Sequence, residues 1–496
     1  MIYPSQSLFA GRGGEGLLFI SRLRIPCHMR CFYYFCMRKT NNMDIASPSS
    51  HPKAAFLIGA ATSNSGKTTL TIGLLRALRE RGLCVQPFKC GPDYIDPKYH
   101  AVASGRTSVN LDTWLSSPEH VGRLFARYGG TSDVSVVEGV MGLFDGYRAD
   151  QGSSAEIARL LGIPVVLVVN AKSVAYSVAP LIYGFKHFDP SVRVAGVLFN
   201  QVASASHASF LQKACEDAGV PCLGYLPRMK EIELPSRHLG LTLEAAYQLD
   251  SFSQRIADAL VQHVDMDRLV ELCAWQPIGE NALSLVGNAP SPMTCTWEGG
   301  ICRIAVARDD AFNFTYHDNL ERLAEVGELT YFSPMHDIAL PEADFVYLPG
   351  GYPEFFLHEL AANRTMLESI RSYIENGGYL LAECGGMMYL CDRICGMDAM
   401  SYPMVGVLPL EATMQGMKLH LGYRMLQHGD ETFRGHEFHY SDVRPLAGAA
   451  SLRSIASQRN ARGEAVPTAL YRYKNVLAGY THLYWGESNL FDLFME

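Results

Sequence analysis

The stretch Gly59-Ala-Ala-Thr-Ser-Asn-Ser-Gly-Lys-Thr-Thr69 decides the fold of the first half of the chain. Apolar residues 54–58 precede it as in a buried strand, and apolar positions recur at helical spacing over residues 70–78. A strand, a loop of small residues, Lys-Thr and a helix are typical of a phosphate-binding loop, in which backbone amides and the helix N-terminus face the phosphates. Lys67 would contact the outer phosphates, and Thr68 would offer its hydroxyl to Mg²⁺. We therefore predict an ATP site formed by Ser63, Asn64, Ser65, Gly66, Lys67, Thr68 and Thr69.

One position departs from the G-x-x-x-x-G-K-[ST] pattern, because Ala61 stands where the first glycine is usual. An isolated Gly-Lys-Thr is weak and is also compatible with an ordinary capped helix N-terminus. The strand before the loop and the helix after it favour nucleotide binding.

Composition limits the class of protein. A chain of 496 residues with 48% hydrophobic and 19% charged residues predicts two or three globular domains. Its formal net charge of -8 argues against a general nucleic-acid surface, and no apolar run has the length of a membrane span. The 13 cysteines lack paired metal-ligand spacing, which predicts a reducing compartment, the cytoplasm. Cys391 and Cys395 follow Cys384 at helical spacing, which predicts a role in packing.

The first residues differ from the rest of the chain. Residues 1–42 contain six basic residues and one acidic residue, and their short apolar runs are broken by arginine. This pattern fits neither a signal peptide nor a membrane helix, although a transit peptide stays open. We expect residues 1–50 to be a disordered or mis-annotated leader, with Met43 as the start of translation.

Strand and helix patterns then alternate through residues 51–275, which predicts a doubly wound α/β domain. Ligands of such domains bind at the carboxyl ends of the strands. Carboxylates follow two predicted strands there, Asp93 and Asp96 in Cys90-Gly-Pro-Asp-Tyr-Ile-Asp-Pro97, and Glu138. Because Mg²⁺ with a nucleotide prefers carboxylate oxygens, we predict Thr68, Asp93 and Glu138 as its ligands, with a helix cap or turn as the alternative for each carboxylate.

Residues 276–300 are rich in Pro, Gly, Asn and Ser and predict a linker, and residues 301–496 predict a second α/β domain. Its strand at 379–382 runs into Glu383-Cys384-Gly385-Gly386 and another helix pattern. A nucleophile at such a strand-to-helix corner is exposed by a tight turn, and the helix N-terminus should lower its pKa. We predict Cys384 to be a catalytic nucleophile, the alternative being an inert buried thiol.

A cysteine nucleophile needs a base, and five histidines of the second half are candidates. Spacing alone does not choose among His420, His428, His436, His439 and His482. His482 follows the apolar run 476–480, so it can lie at a strand end beside Cys384.

Six motifs in order resemble the cobyrinic acid a,c-diamide synthase family, from about Lys53 onward. They are Cys-Gly-Pro-Asp-Tyr-Ile-Asp-Pro, Glu-Gly-Val-Met-Gly-Leu-Phe-Asp-Gly, Arg-His-Leu-Gly-Leu, Pro-Gly-Gly-Tyr-Pro-Glu, Ala-Glu-Cys-Gly-Gly-Met-Met-Tyr-Leu and Gly-His-Glu-Phe-His-Tyr-Ser. The resemblance implies a dethiobiotin-synthetase-like P-loop domain joined to a flavodoxin-like class I glutamine amidotransferase domain.

The resemblance also implies a chemistry and its residues. Cys384 would attack L-glutamine with His482 as its base, and the backbone N–H groups of Gly351 and Gly385 would form the oxyanion hole. Ammonia would pass internally to the first domain, where ATP and Mg²⁺ activate the a and c acetate carboxylates of cobyrinate. Substrate binding or activation would involve Asp93, Tyr94, Asp96, Asp145, Arg237 and His238.

One departure and several alternatives remain. Class I amidotransferases usually carry Glu two residues after the catalytic histidine, and this chain has Tyr484 there. Hydrogenobyrinate or nickel sirohydrochlorin could replace cobyrinate as substrate, and cobyric acid synthase is a more distant alternative. A ParA- or MinD-like ATPase switch would need an early loop lysine that this chain lacks, and a homodimer stays open.

Overall fold

The computed structural model describes residues 54–229, 243–275, 293, 302–429, 431–449 and 452–495. The described residues from Ala54 onward belong to one compact unit. The leader, Arg237, His238 and almost all of the predicted linker lie outside the described residues, so the domain boundary stays a prediction.

The first half is built on a parallel sheet of seven strands within the described ranges, in the order β3-β2-β4-β1-β5-β6-β7. Its strands are β1 (Ala54–Ala60), β2 (Val85–Cys90), β3 (Val109–Leu111), β4 (Val134–Glu138), β5 (Val165–Asn170), β6 (Val194–Val202) and β7 (Cys222–Pro227). Strand β1 is buried along its whole length, as its continuous apolar sequence predicts for a strand covered on both faces.

Helices cover both faces of this sheet, so the prediction of a doubly wound domain is confirmed. They are α1 (Lys67–Glu80), α2 (Asp96–Ser104), α3 (Pro118–Gly129), α4 (Ser154–Leu161), α5 (Ala179–Phe188), α6 (Ala205–Ala218), α7 (Leu243–His263) and α8 (Met266–Leu272). Separate apolar clusters pack on the two sides of β1, one containing Phe56 and Ile58 and the other Ala55 and Leu57. Alternate residues of one strand therefore serve two cores.

The second half contains a mixed sheet in the order β18-β21-β22-β11-β10-β8-β9. Strands β8, β9, β10, β11 and β22 are mutually parallel, and β21 and β18 join antiparallel at one edge. The bounds are β8 (Cys302–Ala307), β9 (Gly327–Phe332), β10 (Phe345–Leu348), β11 (Tyr379–Glu383), β18 (Arg453–Ser454), β21 (Leu470–Tyr473) and β22 (Val476–Gly479). Its helices are α9 (His317–Val326), α10 (Leu357–Ala362), α11 (Arg364–Glu375) and α12 (Gly385–Leu390).

Two smaller sheets extend the second half beyond a flavodoxin-like core. One has the order β13-β12-β14-β17 and the other the order β20-β19-β15-β16-β23. The bounds are β12 (Cys391–Cys395), β13 (Ser401–Pro403), β14 (Leu408–Thr413), β15 (His420–His428), β16 (Glu431–His439), β17 (Asp442–Pro445), β19 (Ser457–Arg459), β20 (Ala465–Val466) and β23 (His482–Tyr484). The helical spacing read across Cys384, Cys391 and Cys395 is therefore wrong, because the helix ends at Leu390 and a strand follows. Cys391 is nevertheless buried in the core, as a packing role requires.

The two halves meet at an aromatic cluster formed by Tyr94 and Trp114 from the first half and Phe314, Tyr316 and Tyr484 from the second. The Tyr94 hydroxyl donates to the Tyr316 hydroxyl at 2.7 Å. Aromatic rings supply large apolar contact area, and their hydroxyl groups need partners when buried. Because Tyr94 follows the carboxyl end of β2, this contact joins that end of the first sheet to the second half.

None of the helices that the structure describes is long and apolar enough to span a lipid bilayer.

Candidate active site

The phosphate-binding loop lies between β1 and α1, as the sequence predicts. Gly66 has φ 96°, a left-handed conformation that favours glycine. A carbon added at its Cα would lie 2.0 Å from the amide nitrogen of Asn200, which itself donates to the Ser65 carbonyl at 3.0 Å. Glycine is thus required at position 66, because the backbone φ is positive and a side chain would collide with Asn200.

Lys67 points back across the loop rather than into solvent. Its ammonium group donates to the carbonyl of Met141 and lies 3.5 Å from the carbonyl of Thr62. Burial and the nearby Lys89 lower the pKa of Lys67. The carbonyls of Met141 and Thr62 therefore bind the Lys67 ammonium group in the place of an anionic ligand.

A cluster of charged side chains lies beside the loop at the carboxyl ends of β2 and β4. The Lys89 ammonium donates to Asp96 Oδ2 at 2.8 Å and to Glu138 Oε1 at 3.0 Å. The Thr68 hydroxyl donates to the same Glu138 oxygen at 2.7 Å and lies 3.3 Å from Asp96 Oδ2. Hydroxyl and carboxylate oxygens thus converge on one place, which is the donor set that Mg²⁺ prefers.

Electrostatics fix the charge of this cluster. Burial acts to lower the pKa of Lys89, but Asp96 and Glu138 outweigh it and raise that pKa, so Lys89 is a cation. Burial acts to raise the pKa of Glu138, but Lys89 and His100 outweigh it and hold the pKa below its usual range. Burial raises the pKa of Asp96 to about 6, partly offset by Lys89. His100 completes the cluster, with Nε2 at 2.6 Å from Glu138 Oε2.

The other predicted residues of the first half take different positions. Asp93 Oδ1 accepts the backbone N–H groups of Ile95 and Asp96, so one of its oxygens holds the turn that leads into α2. Its second oxygen lies 4.0 Å from Lys89. Asp145 accepts the N–H of Gly142 at 2.8 Å and holds the turn beside Lys67.

Cys384 occupies the corner between β11 and α12, as predicted for a nucleophile elbow. Its backbone has φ 48° and ψ -107°, a conformation that non-glycine residues rarely adopt. Its N–H donates to the Gly479 carbonyl at 2.7 Å, and its thiol lies 3.7 Å from the Phe438 carbonyl. The strained corner places the thiol between the parallel sheet and strand β16.

The predicted lowering of the thiol pKa is wrong for this conformation. Burial raises the pKa of Cys384 well above its usual range, and Glu354 adds to the rise. The Gly385 N–H acts in the opposite direction but does not outweigh burial. Helix α12 has only six residues, so its end is a weak source of positive potential.

The two predicted oxyanion donors lie close together. A carbon added at Gly385 would lie 3.1 Å from the backbone nitrogen of Gly351, and Gly351 has φ 159°. A carbon added at Gly351 would lie 2.0 Å from the Ala311 carbonyl oxygen. Close backbone approach at these glycines brings both N–H groups to the elbow.

His482 begins β23 and is fully buried. Neither of its ring nitrogens has a hydrogen-bond partner among the described residues. Its ring lies 4.8 Å from that of Tyr94, and a carbon added at Gly350 would lie 2.1 Å from its Cε1. Burial lowers the pKa of His482 to about 3, so the imidazole is neutral near pH 7. It is available as a base but makes no hydrogen bond to Cys384 in this conformation.

Tyr484 does not replace the usual glutamate as a partner of His482. Its hydroxyl donates to Asp318 Oδ2 at 2.7 Å and lies 2.8 Å from Nε2 of His120 in the first half. Tyr484 therefore belongs to the contact between the two halves.

The remaining histidines of this region have other partners. His420, Glu437 and His439 present ligand atoms within 4.8 Å of one another, as a metal site could. However, Glu437 is paired with the Arg424 guanidinium, and its oxygens lie 2.7 Å from His439 Nε2 and 2.9 Å from the Thr468 hydroxyl. The Glu437 carboxylate therefore already has charged and hydrogen-bonding partners among the described residues. His436 pairs with His482 across β16 and β23.

Sequence reasoning missed several residues of the site. Lys89 and His100 contact Glu138, Gly350 makes room for His482, and Glu383 is buried beside Cys384. A lone lysine at the end of an apolar strand was a signal for Lys89, because a buried cation needs an anion. His100 lies four residues after Asp96, on the same helix face. Glu383 was visible only as a charge ending a buried strand.

Replacing Lys89 with methionine should destabilise the protein, because Asp96 and Glu138 would keep buried negative charge without the ammonium group that balances both. We expect the free energy of unfolding to fall by about 3 kcal/mol, measured by urea denaturation followed by circular dichroism. Lys213→Met removes an exposed ion pair with Asp217 and should change the midpoint little. Equal urea midpoints for Lys89→Met and Lys213→Met would contradict the prediction that the buried ion cluster stabilises the fold.

The Cys384 thiol should be alkylated slowly near neutral pH, because the thiolate is the reactive form. We expect its rate with iodoacetamide to rise about tenfold per pH unit from pH 7 to 9, measured by mass spectrometry of the Cys384 peptide. The half-buried Cys395 provides an internal reference in the same digest. A rate for Cys384 that is already constant above pH 7 would contradict the effect of burial.

Known proteins resemble both halves of the chain. Residues 56–241 match the CobQ/CobB/MinD/ParA nucleotide binding domain, and residues 303–490 match the CobB/CobQ-like glutamine amidotransferase domain. A cobyrinate a,c-diamide synthase of Listeria innocua is 40% identical over 446 residues, covering 87% of this chain and 96% of the relative. A cobyrinate a,c-diamide synthase of Dehalococcoides mccartyi is 40% identical over 447 residues, covering 87% of this chain and 95% of the relative. A hydrogenobyrinate a,c-diamide synthase of Brucella abortus is 41% identical over 438 residues, covering 86% and 98%.

These matches extend over both halves in the same order and include the loop at Lys67 and the elbow at Cys384. The chain therefore belongs to the cobyrinate a,c-diamide synthase family.

Proposed function

We propose that the protein is an amidoligase that uses ATP and glutamine to convert the a and c acetate carboxylates of cobyrinate to amides. One observation carries the proposal. The buried His482, whose neighbour Leu483 is bonded to Glu383 next to Cys384, lies against Tyr94, from the segment that also bears Asp93 and Asp96. A site for releasing ammonia and a site for activating a carboxylate therefore face each other across one contact.

The first half would activate the acid. A substrate carboxylate oxygen attacks the γ-phosphorus of ATP, which gives an acyl phosphate and ADP. Lys67 would leave its carbonyl partners to bind the outer phosphates, and its cationic charge would favour their transfer. Thr68, Asp96 and Glu138 fit Mg²⁺, which would neutralise phosphate charge when bound, and Asp93 Oδ2, 4.0 Å from the Lys89 ammonium, would be a further ligand.

The second half would supply the nitrogen. Cys384 Sγ attacks the side-chain carboxamide carbon of glutamine, and the Gly351 and Gly385 N–H groups stabilise the oxyanion. The thiol proton passes to the departing ammonia through His482, whose ring is neutral near pH 7. Water hydrolyses the thioester to glutamate. Ammonia then attacks the acyl phosphate, which forms the amide and releases phosphate.

The choice of tetrapyrrole rests on the relatives. The cobyrinate and hydrogenobyrinate synthases are 40% and 41% identical to this chain, so their similarity does not separate cobyrinate from its cobalt-free counterpart. Nickel sirohydrochlorin is a further alternative with the same chemistry. A ParA- or MinD-like switch is disfavoured, because such proteins have no use for the Cys384 elbow.

Two substitutions should separate the two chemistries. Cys384→Ala should abolish amidation with glutamine while amidation with ammonium persists, since only the nitrogen source is lost. Lys67→Ala should abolish amidation with either source while basal glutamine hydrolysis remains. For both variants, amidation is measured as amide product by liquid chromatography, and glutamine hydrolysis is measured as glutamate released.

Cys395→Ala, which changes a thiol in the adjacent strand β12, serves as the matched control and should keep both activities. Glutamine-dependent amidation by Cys384→Ala would overturn the assignment of the nucleophile. Loss of ammonium-dependent amidation as well would indicate a folding defect in that variant.

The substrate can be identified by incubating the enzyme with ATP, Mg²⁺, glutamine and each tetrapyrrole in turn. We expect mass spectrometry to show two carboxyl groups of cobyrinate converted to carboxamides. Faster diamide formation from hydrogenobyrinate would transfer the assignment to that substrate. No amide on any of the three would overturn the proposed activity.

A further inference from the structure

Glu383 is a buried carboxyl group that the proposed reaction does not use. It ends β11, directly before Cys384, and is 2% exposed. Its Oε1 accepts the backbone N–H of Leu483 at 2.9 Å, and its Oε2 accepts the Tyr347 hydroxyl at 2.7 Å. Both oxygens are therefore engaged, one by the residue next to His482.

Cys384 and His482 are held by different sheets. Cys384 follows β11 in the mixed sheet, whereas His482 begins β23 in the five-stranded antiparallel sheet. Within the described ranges, no backbone pairing joins β11 to β23. The chain itself links the two sheets once here, because β11 pairs with β22 at Glu383 and Gly479, and His482 follows Gly479 by three residues; side chains supply the further ties between nucleophile and base.

Strand β23 is the outer strand of its sheet and pairs on one side with β16. Side chains bind its other edge. Glu383 accepts the Leu483 N–H, and Asn319 donates to the Leu483 carbonyl at 2.8 Å and accepts the Trp485 N–H at 2.9 Å. Of these two side chains, Glu383 is the one attached to the strand that carries the nucleophile.

The imidazole itself lacks a polar anchor. Its nitrogens have no hydrogen-bond partner in the described part of the chain, and the Tyr484 hydroxyl is directed to Asp318. The ring is confined by Tyr94 and by the close approach of Gly350. The position of the β23 backbone therefore sets where the ring lies.

We propose that Glu383 is a positioning residue that ties the base strand to the nucleophile strand through the Leu483 N–H and so keeps His482 within reach of Cys384. This inference rests on the proposed glutaminase function of Cys384 and His482. Glu383 acts through the backbone of β23. It lies on β11, whereas the glutamate that class I amidotransferases usually carry would lie on β23, at the position of Tyr484.

The test compares Glu383→Leu with Glu383→Gln in the full-length enzyme. Leucine has similar bulk but cannot accept the Leu483 N–H, whereas glutamine keeps an acceptor oxygen. Since a displacement of about 1 Å can cost about 100-fold in rate, we expect kcat for glutamine hydrolysis to fall about 100-fold in Glu383→Leu. The KM for glutamine and ammonium-dependent amidation should stay near wild type, and Glu383→Gln should restore most of kcat.

Gly350→Ala is an independent comparison, because its added carbon would displace the His482 ring directly. It should reproduce the loss of kcat with KM retained. Gly122→Ala, at a position where an added carbon meets nothing within 4 Å, is its matched control. If Glu383→Leu does not fold, Tyr347→Phe replaces it in the test. This substitution removes the other hydrogen bond of Glu383 and should also lower kcat for glutamine hydrolysis, by a smaller factor.

Unchanged kcat in Glu383→Leu, or in Tyr347→Phe where that variant replaces it, would overturn the inference. Equal losses in Glu383→Leu and Glu383→Gln, with ammonium-dependent amidation lost in parallel, would overturn it in favour of a purely structural role. Cys384→Ala in the same assays separates this result from the proposed function. If that variant still hydrolyses glutamine, the proposed function fails whatever Glu383 does.

Discussion

The first half of the protein depends on a buried cation. Lys89 lies between Asp96 and Glu138, and these buried carboxylates would repel each other if the ammonium group were absent. Glu138 in turn orients the Thr68 hydroxyl and His100. The arrangement of the phosphate-binding loop, strand β4 and helix α2 is therefore coupled to one charge balance. Binding of Mg²⁺ and ATP would therefore have to replace some of the contacts among Lys89, Asp96 and Glu138 with contacts to the ligands.

The contact between the halves follows from where their sheets end. Parallel strands place functional side chains at their carboxyl ends, so two such sheets can share a reaction only if these ends face each other. Tyr94 accomplishes this, because it follows Asp93 in the chain and packs on His482 of the other half. His120 with Asp318, at 2.9 Å, and Ser117 with Glu487, at 2.6 Å, add polar contacts around the aromatic cluster. The two sites thus have a fixed relative position in this conformation.

Sequence reasoning was most successful where structure is local. Strand β1 and helix α1 contain the residues 54–58 and 70–78 that apolar periodicity predicts for them, because periodicity and flanking residues specify such elements. The two smaller sheets were missed, since short strands such as β13 and β20 have too few residues to show alternation. The contacts of Lys89 with Glu138 and of Glu383 with Leu483 join residues 49 and 100 positions apart, so no spacing rule could reveal these partners. The thiol pKa was misjudged because burial by β16 and its neighbours outweighs the end of a short helix.

The backbone at Cys384 has a consequence for how the protein can change over evolution. A left-handed conformation at a residue with a side chain costs about 1–3 kcal/mol, which only glycine would avoid. The mutation that most relieves this strain therefore also removes the thiol. Selection for stability alone would favour loss of the nucleophile, so its retention in this chain requires continued selection for the reaction that the thiol serves.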